Sequence, residues 1–223
     1  MATVDDLKIK LRKREEEIVK EIKAIEPING CYPVFDGIID IDRYITSKYK
    51  ILWILKEANY GKSDKSWDML DYYRKATETE IRNSPTTKRV LQVSHRILSN
   101  SSPLEDFQSI AYINIKKVAG YDKSVDEEMQ NAYDKNKDLL ITQIDTYQPD
   151  IIIGGSTLHY FAKDLPFREL QPMPMDNMSG YNYFCGKDRL YISAYHPAYP
   201  KITDKKYCDS IYAAFFDWKS RKE

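Results

Sequence analysis

Residues 51–61 read Ile-Leu-Trp-Ile-Leu-Lys-Glu-Ala-Asn-Tyr-Gly, an unbroken apolar run that ends abruptly in a cation, a carboxylate, an amide, a phenol and a glycine. A run this short, continuous rather than alternating, fits a strand buried on both faces of a parallel sheet. Residues 109–114 end the same way on Asn114, and residues 190–194 lead through Tyr195 to His196-Pro197. A fourth run, residues 150–153, leads into the turn Gly154-Gly155-Ser156. Helical segments separate the four, so the expected fold is α/β: a three-layer α/β/α sandwich with a central four-stranded parallel sheet. Ligands of open parallel sheets bind beyond the carboxyl ends of the strands, which would let Glu57, Asn114 and His196 share one site.

The intervening pattern supports this alternation. Leu7, Leu11, Ile18, Ile22 and Ile25 recur at helical spacing, predicting an amphipathic helix over about residues 5–25 that packs by one stripe. Asn29-Gly30 and Asp36-Gly37 mark turns around short β-prone pieces at Val34-Phe35 and residues 38–41. Helices are expected around Trp67, Leu70 and Tyr73, and over residues 87–98, 125–147, 157–162 and 204–218, with an irregular loop over 165–179. A chain of 223 residues then forms one domain.

Charge narrows the partners. Lys and Arg total 34 against 34 Asp and Glu, so any contact with DNA must be local rather than driven by an overall basic field. No apolar run approaches the ~20 residues that span a bilayer, and the first residues lack the pattern of a signal peptide, so a cytoplasmic location without a membrane partner is expected. Cys31, Cys185 and Cys208 lack metal-site spacing and are expected as ordinary reduced thiols. The three histidines likewise lack metal-ligand spacing, and no metal or other cofactor is expected.

Each strand tip carries a chemical option beside a structural one. Glu57, entering apolar surroundings, can hold a water for general-base work or pair with a neighbouring lysine. Asn114 can donate and accept together, as reading a nucleobase edge requires, or bond its local backbone. His196, held extended by Pro197, can stabilise negative charge developing on an oxygen. Gly155 and Ser156 offer amides to a phosphate or simply make the turn. His95 and His159 fall in predicted helices, where a packing role is expected.

These tips and their order resemble the uracil-DNA glycosylase superfamily. Its first motif, Gly-Gln-Asp-Pro-Tyr or Gly-Glu-Ala-Pro-Gly after a buried strand, is matched by Lys56-Glu57-Ala58-Asn59-Tyr60. Its asparagine strand is matched by Ala111-Tyr112-Ile113-Asn114, and its His-Pro-Ser or His-Pro-Ala motif by His196-Pro197-Ala198. The third strand and glycine turn correspond to residues 149–155, so the resemblance runs over about residues 34–200. The motif glycine and proline are replaced by Lys56 and Asn59, and the cluster-binding cysteines of the Glu-Ala branch are absent.

The resemblance implies a divergent DNA glycosylase acting on uracil or another deaminated base. Glu57 and His196 would be catalytic, with Asn114 and Tyr60 binding the extruded base. Lys56, Asn59, Gly155, Ser156 and Tyr199 are candidate phosphate or DNA contacts, Tyr199 as a wedge into the stack. The alternatives are a non-catalytic nucleotide or nucleic-acid binding module of the same fold, and a hydrolase of free nucleosides.

Overall fold

The computed structural model describes residues 3–59, 65–99, 102–120 and 125–222. Its strands are β1 (Val34–Phe35), β2 (Gly37–Ile38), β3 (Ile51–Leu55), β4 (Trp67–Asp68), β5 (Ala111–Asn114), β6 (Ile151–Gly155), β7 (Pro172–Pro174), β8 (Asn182–Cys185) and β9 (Leu190–Ala194). Its α-helices are α1 (Val4–Lys23), α2 (Ile41–Thr46), α3 (Met69–Lys75), α4 (Glu78–Asn83), α5 (Pro85–Leu98), α6 (Pro103–Gln108), α7 (Asp126–Tyr147) and α8 (Asp204–Ser220).

The sheet is mixed and seven-stranded, in the order β2-β5-β3-β6-β9-β8-β7, rather than four-stranded and wholly parallel. Its centre, β5-β3-β6-β9, consists of the four expected strands, all parallel. Antiparallel β2 extends one side, while β8 and β7 extend the other. These flanking strands are two to four residues long, and β7 begins and ends on proline, so they carry little apolar signal. Part of the expected loop over 165–179 is thus strand, preceded by a 3₁₀ turn at Pro166–Glu169.

Register aligns the strand ends. Leu55 pairs with Asn114, Ile54 with Gly154, and Gly155 with Ala194, so the central strands deliver their following residues to one edge. Alternation sends Ile51, Trp53 and Leu55 into a core with Tyr112, Ile153 and Ile192, which α3, α4, α5 and α8 cover. Leu52 and Ile54 point the opposite way, into a second core with Ile113 and Ile152 beneath α1, α2 and α7. The chain is therefore α/β, with helices on both faces of a mixed sheet.

Two expected helices are shorter or differently begun. Trp67 lies in β4, paired in parallel with β1, and the helix starts only at Met69 after an Asp68 cap. The expected helix over 157–162 is a single 3₁₀ turn, Leu158–Phe161. Of the expected stripe on α1, Ile18 and Ile22 are buried, whereas Leu7 is exposed and Ile25 lies beyond the helix end; a carboxylate, Glu15, is buried beside them.

Candidate active site

Beyond the strand ends lies a cavity of about 580 Å³ lined by Leu55, Glu57, Ala58, Asn59, Trp67, Met69, Tyr72, Tyr73, Glu80, Ile81, Ser84, Thr86, Thr87, Tyr112 and His196. Its aromatic side is a connected cluster. Trp67 and Tyr72 lie 5.9 Å apart between ring centroids, Tyr72 and Tyr73 5.5 Å, and Tyr73 and Tyr112 5.8 Å. Such a surface suits a flat ring, with the polar groups of Glu57, Asn59 and His196 at its edge.

Glu57 is fixed from two directions. Its Oε2 accepts from Lys116 Nζ at 2.7 Å, and a Cβ added at Gly120 would fall on its carboxylate. The backbone beneath is zipped: Ile115 N–H donates to Leu55 O and Lys116 N–H to Lys56 O, each at 2.9 Å. The loops after β3 and β5 therefore run side by side, which carries Lys116 to Glu57.

His196 is held through both its main chain and its ring. Its N–H donates to Ser156 Oγ at 3.0 Å, and its Nδ1 accepts from Ala198 N–H at 3.1 Å. An accepting Nδ1 leaves the ring proton of neutral imidazole on Nε2. Burial, reinforced by the nearby charge of Lys56, pushes the His196 pKa down to about 4. The ring is accordingly a neutral donor over the physiological range.

Arg89 supports the same loop and was not evident from sequence. Its guanidinium donates to the carbonyls of Pro197, Tyr199 and Ile202 and to Asp204 Oδ1, at 2.6–2.8 Å. Planar donor geometry suits it to this span of acceptors. Its sequence signal is only a basic residue inside an apolar-faced helix, 108 residues from Pro197.

Asn114 closes β5 but is not among the cavity-lining residues. Its main-chain N–H donates to Asp36 Oδ2 at 2.7 Å, and its Nδ2 lies 3.4 Å from the same oxygen. Its Oδ1 is the one buried side-chain polar atom without a hydrogen-bond partner among the described residues. Behind it, Lys117 Nζ meets Asp36 Oδ1 and Oδ2 at 2.8 and 3.0 Å and Gln143 Oε1 at 2.7 Å. Burial pushes the Lys117 ammonium pKa down, while Asp36 pushes it back up. Tyr147 Oη continues the network by donating to Glu15 Oε2 at 2.7 Å.

The remaining candidates occupy several environments. Asn59 lines the cavity and bridges to Gly120, whereas Lys56 acts on His196 through its charge. Gly155 packs against Leu55 and Pro197. Ser156, at φ 59°, donates its amide to Ala194 O and bonds Tyr181 and His196 through its hydroxyl, so its polar atoms brace the turn. Tyr199 packs against Tyr195 at 4.4 Å between centroids, away from the cavity lining. Tyr60 lies outside the described residues. His95 bonds Asp106 at 2.8 Å, and His159 packs on Tyr160.

Among the described residues, no group of three or more His, Cys, Asp or Glu side chains is placed to hold a metal ion. No helix there is long and apolar enough to cross a membrane. No protein-family model matches this chain, and no curated protein matches it.

Proposed function

We propose that the protein is a divergent DNA glycosylase of uracil-DNA glycosylase-like, three-layer α/β/α architecture. It hydrolyses the N-glycosidic bond of uracil or another deaminated base. The observation carrying this reading is that Glu57 and His196, from opposite ends of the sequence, line one aromatic-walled cavity at the carboxyl ends of parallel strands. Two polar groups lining one aromatic-walled cavity suit cleavage beside an extruded base.

In this mechanism the base enters the cavity against Tyr72 and Tyr73. Glu57 orients a water whose oxygen bonds to the sugar carbon as the carbon–nitrogen bond breaks. The bond's electron pair leaves with the base, and Glu57 takes the water's proton. His196 donates from neutral Nε2 to the oxygen on which the leaving base concentrates charge, and solvent then protonates the base. Lys56 and Asn59 meet the flanking phosphates. The protein then acts in the cytoplasm with DNA as its partner.

One observation favours the binding-module alternative: Glu57 shares its carboxylate with Lys116. Uracil-, hypoxanthine- or xanthine-bearing oligonucleotides, single- and double-stranded, separate the two readings. Abasic sites formed by the parent but not by Glu57→Gln or His196→Ala support catalysis. Tight binding without release supports the module.

A further inference from the structure

The loop that carries His196 turns tightly. Tyr199 N–H donates to His196 O at 2.8 Å, closing residues 196–199 into a turn, and Pro197 within it has no N–H to offer. The first amide after the histidine is therefore that of Ala198, which donates to His196 Nδ1 at 3.1 Å. This N–H shares one planar peptide unit with the Pro197 carbonyl, and in a trans unit the two point in opposite directions.

Arg89 holds the carbonyl end of that unit. Its Nη1 donates to Pro197 O and to Tyr199 O, each at 2.8 Å, and its Nη2 to Ile202 O at 2.6 Å. The guanidinium is itself buried and fixed: Nε donates to Asp204 Oδ1 at 2.8 Å, and the group lies 5.1 Å from the centroid of the Tyr207 ring. Tyr207 Oη donates in turn to Tyr195 O at 2.9 Å. Rotating the 197–198 plane to aim its amide away from the imidazole would break the Pro197 bond and strand a buried cationic donor. A charge-assisted bond at the carbonyl also polarises the unit and strengthens its N–H as a donor.

We propose that Arg89 is a positioning residue that sets the tautomer of His196: by gripping the Pro197 carbonyl it aims the Ala198 N–H at Nδ1 and keeps the ring proton on Nε2. Arg89 is absent from the cavity lining and acts only through the loop. The consequence for turnover rests on the glycosylase reading, in which Nε2 donates to the leaving base. The tautomer itself does not depend on that reading.

The test is nitrogen NMR of the His196 ring in the full chain at about pH 7, well above its pKa of about 4. The parent should show one tautomer, with Nδ1 bare and Nε2 protonated. Arg89→Met should show both tautomers, and Arg89→Lys, which returns a cation without the planar fork, should lie between the two. Asp204→Asn removes the carboxylate partner of Arg89 but none of its three carbonyl acceptors, so it should melt lower than the parent and keep the parent tautomer. In the oligonucleotide assay Arg89→Lys should slow base release about tenfold or more, approaching the roughly 10²–10³-fold that loss of a transition-state donor costs. Parent-like ring shifts in whichever Arg89 variant folds overturn the assignment, and so does equal mixing of tautomers in Asp204→Asn, which would mark general loosening of the loop. Mixed tautomers in the Arg89 variants alone, beside a parent that releases no base, uphold the assignment and overturn the glycosylase reading.

Discussion

Lys116 Nζ lies 2.7 Å from Glu57 Oε2, joining the loop after β3 to the loop after β5 across the edge where the parallel strands end. The pair gives Glu57 a defined position at the cavity. Lys116→Met should lower turnover about tenfold or more by releasing that carboxylate, as misplacement of a reacting group does. Equilibrium binding of free base should change less than twofold. Glu57→Gln should lower turnover on the order of 100-fold while melting like the parent. Unchanged turnover in Glu57→Gln removes Glu57 from the mechanism.

Gly120 offers a subtler probe of the same position. A methyl group there falls on the Glu57 carboxylate, a buried side chain that must leave Lys116 to make room. Gly120→Ala should therefore displace Glu57 from Lys116 and reduce turnover, at a cost of about 1–3 kcal/mol of stability. Parent-like kinetics would show that Glu57 works from a different position.

The strands were legible because near-continuous runs rich in Ile and Leu have few other uses in a chain this size, and their polar ends marked the edge that carries the cavity. Its aromatic wall was not legible as a wall. Trp67, Leu70 and Tyr73 read as a helix stripe, whereas Trp67 belongs to β4 and, with Tyr73, lines the cavity. The Asp36–Lys117 pair was also hidden: Asp36-Gly37 reads locally as a turn, and its partner lies 81 residues away. Only the folded register makes Lys117 a buried ion beside Asn114 rather than a surface charge.

That pair predicts a large stability effect. Lys117 and Asp36 side chains are both fully buried. Lys117→Met leaves Asp36 without its ammonium and should cost about 3–5 kcal/mol by chemical denaturation. Combining it with Asp36→Leu should cost less than the single change, because no uncompensated charge remains.

Glu15 sets a pH dependence. Burial raises its pKa from 4.5 to about 7, despite bonds from Ile38 N–H and Tyr147 Oη. Between those values the folded protein binds more protons at this site than the unfolded chain, so its contribution to stability falls as pH rises and the full loss is reached above pH 7. The loss amounts to about 3 kcal/mol at 1.36 kcal/mol per unit. Glu15→Gln should flatten this part of the curve and gain most over the parent above pH 7; identical curves would contradict the assignment.

His196 behaves oppositely, with a folded pKa lowered to about 4. Between that value and the usual imidazole pKa of about 6.5, the unfolded chain binds more protons, so its contribution to stability is present above 6.5 and is lost as pH falls toward 4. NMR titration should find the His196 ring neutral at about pH 5.5, within the span where an unperturbed imidazole charges. Titration near 6.5 would remove the neutral Nε2–H donor from the mechanism.

If this cavity cleaves the bond to an extruded base, free base must appear as the strand loses it. The most direct measurement is chromatographic quantitation of free base under single-turnover conditions, from single- and double-stranded oligonucleotides bearing uracil, hypoxanthine or xanthine. The parent should release at least one of these bases in step with abasic-site formation, and Glu57→Gln should do so on the order of 100-fold more slowly. No release of any base by folded parent protein would contradict cleavage at this cavity.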